Sequence, residues 1–143
     1  VTQIIQAPRA QVRVYRDAEE LALKAARRFA RLADQYVIGS GRFAVALSGG
    51  STPKAMLSLL AADPFRETVP WASIYFFWGD ERCVPPDHAD SNYRMTTETL
   101  LSKVPVPPDN IFRIPAEMSD PERAAAEYSS TLTHFFLAGP GRS

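Results

Sequence analysis

Apolar positions along the chain follow two rhythms, steps of three and four residues in some segments and short unbroken runs in others. The segment from Val12 to Tyr15 predicts a short strand. Asp17 follows, with Glu20 three residues on, the pattern of a capped helix start. Ala22, Ala26, Phe29, Ala33 and Tyr36 then recur at helical spacing, which predicts one buried face, and Gly39 and Gly41 end the helix. Phe43-Ala-Val-Ala-Leu47 is an almost continuous apolar run of strand length, suited to a sheet covered on both faces.

Ser48-Gly-Gly-Ser-Thr-Pro53 interrupts that run, and Met56, Leu57, Leu59 and Leu60 predict a second helix. Pro64 and Pro70 bracket a polar connection to the next buried strand, Ser73-Ile-Tyr-Phe-Phe-Trp78, rich in sheet-favouring residues. A polar stretch runs from Gly79 to Asn92, and helical spacing resumes from Tyr93 to Leu101. Ile111 to Ile114 is read as a fourth short strand. Ser119 with Glu122 is read as the start of a last helix carrying Ala125, Tyr128, Leu132, Phe135 and Phe136, stopped by Gly139-Pro-Gly141. Strands alternating with helices predict an α/β fold, a mostly parallel, layered sheet with helices on its faces. The sequence ends shortly after a helix, where such a unit would send its next strand into the sheet, so the protein is expected to continue past Ser143. Valine at position 1 is read as processing or an omitted start.

Composition narrows this picture. With 45% apolar and 22% charged residues the chain can build a core. Sixteen basic residues balance sixteen acidic ones, which argues against nucleic acid or an anionic membrane as partner and leaves room for a local anion site. A single cysteine, Cys83, excludes an internal disulfide framework and offers no metal cluster. No run is long and apolar enough to span a bilayer, and no secretory leader opens the sequence, so a reducing, cytoplasmic setting is expected.

Candidate chemistry sits at the carboxyl ends of the two buried strands. In Leu47-Ser-Gly-Gly-Ser-Thr-Pro-Lys54, Gly49 and Gly50 allow a tight turn, Ser51 and Thr52 add hydroxyls, and Pro53 suits a first helical turn. Free amides at a helix N-terminus make an anion site, with phosphate the natural guest. An ordinary strand-to-helix turn fits the same residues as well. The pattern is neither a Walker loop nor a serine-hydrolase elbow, because the lysine and glycine positions those need are not filled. The second segment is Trp78-Gly-Asp-Glu-Arg-Cys-Val-Pro85. Arg82 can hold a phosphate or carboxylate, Asp80 can orient a base or take a hydroxyl, and Glu81 reads equally as a loop residue paired locally. Following neighbouring strands, both segments are expected to open into one crevice. Asn92 and Arg94 are candidates for its rim, although a helix cap and a surface charge explain them almost as well. His88 is read as a surface histidine, His134 as surface or half-buried, and Cys83 as there for packing or by chance rather than as a nucleophile. No general base is found.

Together, Ala46-Leu-Ser-Gly-Gly-Ser-Thr-Pro53, Phe77-Trp-Gly-Asp-Glu-Arg-Cys-Val-Pro85 and Asp90-Ser-Asn-Tyr93 resemble the 6-phosphogluconolactonase family, from about Tyr15 to the last helix. The glycine turn alone is shared with sugar-phosphate isomerases and deaminases of the same superfamily. Gly-Asp-Glu-Arg followed by Ser-Asn-Tyr favours the lactonases. The resemblance implies a Rossmann-like fold of the glucosamine-6-phosphate deaminase kind, with residues 1–143 the N-terminal portion of one domain. It implies hydrolysis of 6-phospho-D-glucono-1,5-lactone to 6-phosphogluconate, without nucleotide or metal. By motif, Gly49, Gly50, Ser51, Thr52, Arg82 and Asn92 would contact the substrate and its phosphate, and Asp80 would support catalysis. The general-base histidine belongs to a later family segment expected beyond residue 143. His88 and His134 do not match it. The alternatives are a sugar-phosphate isomerase or deaminase, and a non-catalytic sugar-phosphate-binding module. Oligomeric state cannot be read from the sequence.

Overall fold

The computed structural model describes residues 3–7 and 10–137. It opens with an antiparallel hairpin, β1 (Gln3–Ala7) and β2 (Ala10–Val14), in register from Gln3 opposite Val14 to Ala7 opposite Ala10. The strand expected at Val12–Tyr15 is therefore shifted towards the N-terminus and has a partner that sequence reading missed. Gln-Ile-Ile-Gln-Ala carries neither a clean alternation nor a long apolar run, so it gave no signal.

Helix α1 (Ala18–Ser40) starts at Asp17, whose carboxylate accepts the Glu20 amide at 2.8 Å. The Glu20 carboxylate reaches back to the Arg16 amide at 3.0 Å, one residue before the cap, so the capping box closes a wider ring than the usual reciprocal pair. Ala22, Ala26, Phe29 and Ala33 are buried as expected. Tyr36 is not: it is 50% exposed, its ring stacked on Phe43 at 5.8 Å with one face open.

Strand β3 (Phe43–Leu47) pairs in parallel with β4 (Ile74–Trp78), Phe43 opposite Ile74 and Leu47 opposite Trp78. Ser73, expected in the strand, ends a 3-10 turn over Trp71–Ser73 instead. Between the strands lie α2 (Ser51–Leu60) and the short α3 (Phe65–Thr68). Side chains alternate across the pleat. Phe43, Leu47, Ile74, Phe76 and Trp78 join Phe29, Leu57, Leu60 and Leu100 in the core. Tyr75 and Phe77 point the other way, onto Phe135 at 5.0 and 4.9 Å between ring centres. Helices thus cover both faces. Fully buried Leu57, Leu60, Ile74 and Phe76 each contribute roughly 1.5–3 kcal/mol to this core.

Helix α4 (Asn92–Thr99) follows the long loop, and α5 (Pro121–Leu137) closes the described chain. The Asp120 carboxylate, rather than Ser119, receives the first free amides of α5, from Glu122 at 3.0 Å and Arg123 at 3.2 Å. The stop expected at Gly139–Gly141 lies outside the described residues.

The fourth strand expected at Ile111–Ile114 reduces to one parallel bridge, Phe76 with Ile111, and one bond from the Phe112 amide to the Phe76 carbonyl at 2.9 Å. Two residues further along β4, a side chain replaces the missing strand. The Tyr128 hydroxyl accepts from the Trp78 amide at 2.8 Å and donates to the Trp78 carbonyl at 2.9 Å. Residues 76 and 78 present their backbone groups to the same edge, so one phenol satisfies the pair that a fourth strand would have taken. The layered α/β expectation holds, with β1–β2 forming a separate antiparallel sheet.

Candidate functional site

The loops after β3 and β4 leave the sheet side by side. The Gly79 amide donates to the Leu47 carbonyl at 2.9 Å, extending the parallel ladder by one rung beyond Trp78. The glycine turn and the Asp-Glu-Arg segment are therefore neighbours, as a shared crevice requires.

On the β3 side, α2 begins at Ser51, so Ser51 and Thr52 occupy its first turn rather than the loop. Gly50 is the cap residue at φ 109°, a conformation that L side chains rarely adopt, and no side chain caps the helix. Pro53 falls within the first turn, where its missing amide hydrogen removes no helical bond. Ser51, Thr52 and Gly50 are all exposed. The result is a helix N-terminus whose leading amides face outward from a turn with little side-chain bulk.

On the β4 side, Asp80 and Arg82 are exposed, whereas Glu81 between them is partly buried. The Arg82 guanidinium makes no ion pair among the described residues, and its backbone amide donates to Glu81 Oε1 at 2.8 Å.

Asn92 joins the two sides. Ser91, not Asn92, caps α4, accepting the Arg94 amide at 3.1 Å. That frees the Asn92 side chain, which is 4% exposed and lies against Gly49. A Cβ at Gly49 would overlap the Asn92 amide oxygen. From the same side chain Nδ2 donates to the Asp80 carbonyl at 3.2 Å and to Asp80 Oδ2 at 3.4 Å. Arg94 belongs to the surface: its Nε meets Glu98 at 2.6 Å and its Nη1 donates to the Asp87 carbonyl at 2.9 Å.

A cavity of about 650 Å³ opens beside Gly79, Asp80 and Cys83, between the end of β4 and α5. Its floor includes Ala46 and Phe77 and its wall Ala124 and Tyr128. The structure brings Gly49, Asp80 and Asn92 together, and of these Asp80 also lines the cavity, whereas Gly49, Gly50, Ser51, Thr52, Arg82 and Asn92 do not.

His88 is exposed in the loop, where Nδ1 accepts the Asp90 amide at 3.2 Å, a turn contact. His134 is exposed on α5 near Phe112 and Phe135. Cys83 is exposed and lines the cavity, so of the two readings, packing or chance, packing does not hold. Two further residues emerge, Glu81, for which a site role and a local loop pairing stood equally open, and Tyr128, which had been given no site role. A Glu eleven residues before an Asn carries no sequence signal of its own. Tyr128 was visible only as one aromatic position on a helical face.

The sequence model of the glucosamine-6-phosphate isomerase/6-phosphogluconolactonase family matches residues 16–142. The chain belongs to that family. It is 44% identical over 108 residues to the 6-phosphogluconolactonase of Nostoc sp., covering 76% of this chain and 43% of that protein. It is 38% identical over 133 residues to the chloroplastic 6-phosphogluconolactonase 3 of Arabidopsis thaliana, covering 93% of this chain and 40% of that one. Among solved structures, the fold overlays on the devB protein with a TM-score of 0.78 at 35% identity, covering 85% of this chain and 49% of that one. It overlays on the Trypanosoma brucei 6-phosphogluconolactonase with a TM-score of 0.73 at 30% identity, covering 86% and 49%. The chain thus spans half or less of the length of these relatives. A monomeric glucosamine-6-phosphate deaminase shares the fold, with a TM-score of 0.72 at 19% identity.

Proposed function

We propose that these residues form the substrate-recognising part of a 6-phosphogluconolactonase, which hydrolyses 6-phospho-D-glucono-1,5-lactone to 6-phosphogluconate. The observation that carries the reading is the meeting of Gly49, Asn92 and Asp80 at the carboxyl ends of two parallel strands, where open α/β sheets bind ligands. The uncapped α2 N-terminus, with Gly50, Ser51 and Thr52, receives an anionic group by its amides and hydroxyls. Arg82, exposed in the loop after β4, supplies a charged fork for the same anionic group on this reading. Asp80, tied to Asn92, orients the sugar or the general base.

A lactone is an activated ester, so its hydrolysis needs a held substrate, one base to deprotonate water, and support for the developing oxyanion. His88 makes a turn contact within its own loop and His134 is exposed on α5, and on this reading the base comes from a segment outside the given sequence. The 143 residues then bind the phosphorylated sugar without turning it over. The setting is proposed to be cytoplasmic; the Arabidopsis relative is named chloroplastic.

The test follows lactone disappearance with a longer protein carrying these residues, against the spontaneous rate. Acceleration that is lost on Arg82→Ala supports the reading. No acceleration, or release of ammonia from an amino-sugar phosphate instead, overturns it.

A further inference from the structure

We propose that Glu81 is the positioning residue of this site, the group that fixes Asn92 between the glycine turn and Asp80; the inference rests on the lactonase reading for what the site binds. Its carboxylate has four donors. Oε1 accepts the Arg82 amide at 2.8 Å and the Asn92 amide at 2.7 Å. Oε2 accepts the Tyr93 amide at 2.8 Å and the Ser91 hydroxyl at 3.1 Å.

Two of these donors, Asn92 and Tyr93, are leading amides of α4, which have no partner within the helix. Ser91 takes the next, from Arg94. Glu81 and Ser91 therefore divide the first turn of α4 between them, and a carboxylate there also meets the positive end of the helix dipole. A cap alone would need only Ser91. Glu81 does more because of where it sits. In the segment after β4 its neighbours Asp80 and Arg82 are exposed while Glu81 is partly buried, its carboxylate turned to the start of α4. Through the Asn92 amide it holds the backbone from which the Asn92 side chain reaches Asp80. The Asp-Glu-Arg and Ser-Asn-Tyr segments are thus one device, joined across the intervening loop by this carboxylate.

With every lone pair of that carboxylate engaged by the fold, Glu81 is not itself a base or a ligand. Its removal should be felt at Asn92, at the start of α4, and through the Asn92 side chain at Gly49 in the glycine turn, which is not part of that helix.

The experiment uses the 143-residue chain, Glu81→Gln, and Asp17→Ala as a control that removes a helix cap from α1 instead. Glutamine keeps the shape but replaces one acceptor by a donor facing donors. The first readout is the amide resonance of Gly49 and the side-chain amide resonance of Asn92. Glu81→Gln should shift both, and Asp17→Ala neither. The second readout is 6-phosphogluconate binding by calorimetry, which Glu81→Gln should weaken about tenfold or more, as expected from losing charge-assisted bonds. Unmoved Gly49 and Asn92 resonances overturn the positioning role whatever the ligand does, as does unchanged affinity in a chain that binds. If the resonances move but the unaltered chain binds no 6-phosphogluconate, the positioning stands and the lactonase reading of the site falls.

Discussion

At the scale of single residues, the site depends on one absent Cβ. Gly49→Ala places a methyl group where the Asn92 amide oxygen lies, and Asn92 is buried too deeply to swing aside without losing its bonds to Asp80. The expected cost is about 1–3 kcal/mol, the penalty for leaving buried polar groups unpaired, together with weaker sugar-phosphate binding. Gly39→Ala is the matched opposite. Gly39 lies inside α1 with nothing near its missing Cβ, so alanine should stabilise the chain by up to about 0.5–1 kcal/mol. Urea unfolding of the two variants reads both signs at once. A third residue-scale effect concerns pH. The Arg113 guanidinium grips Glu117 through two bonds of 2.8 and 2.6 Å and holds its carboxyl down to about 2. A depressed carboxylate contributes stability that is complete above its unfolded value, near 4.5, and disappears as pH falls through 2. Both side chains are about one-third exposed, 34% and 35%, so solvent screening limits the contribution to about 1 kcal/mol or less. Unfolding curves of Glu117→Gln and the unaltered chain should differ at pH 6 and converge towards pH 2. A gap that persists at pH 2 would refute the assignment. Of these residues, the glycines, Asp80 and Asn92 were legible as types in a motif. That Ser91 caps while Asn92 bridges was not, because both fit a helix start and only the fold decides between them.

At the scale of elements, the legible features were those with a strong periodicity of their own. α1 has a run of small and apolar positions at helical spacing, and β3 and β4 have unbroken apolar runs; these emerged within a few residues of expectation. The failures share a different cause. β1 and the segment at Ile111 acquire their form from a partner, and a short stretch does not encode its partner. Ile111–Ile114 has strand-like residues, but the chain leaves the sheet edge after Phe112, and a phenol from α5 completes the edge. This makes Tyr128 the sharpest element-scale test. Its half-buried hydroxyl, raised in pKa by burial, bonds both backbone groups of Trp78, next to the Gly79–Arg82 loop. Tyr128→Phe keeps the ring and orphans an amide and a carbonyl, at a cost of about 1–3 kcal/mol. Hydrogen exchange should localise the damage, with the Trp78 amide losing protection and the β3-facing amides of β4 keeping theirs. Uniform loss along β4 would mean that α5 holds the strand by ring packing instead.

At the scale of the whole molecule, the buried core and the hairpin are separable. All buried apolar side chains among residues 11–137 fall between Ala22 and Ala124, and the β2 side chains from Gln11 to Val14 are exposed, Val12 and Val14 at 45% and 39%. The family match begins at residue 16, where the hairpin has already ended. The buried residues among 11–137 thus lie after Tyr15, and β1–β2 pair with each other as a separate sheet. Two-stranded hairpins are marginal alone, so this one should open without opening the rest. Removing residues 1–14 is therefore expected to lower stability by less than about 1 kcal/mol, the usual range for changes that leave a core intact. The melting curve of the shortened chain tests this, and 6-phosphogluconate binding beside it tests whether the site is carried by the same unit. A melting temperature that drops by many degrees would mean that α1 needs the hairpin along its outer face. In that case its basic residues there, Arg27, Arg28 and Arg31, which share a cleft with Arg13, would be packing through their stems rather than simply solvated.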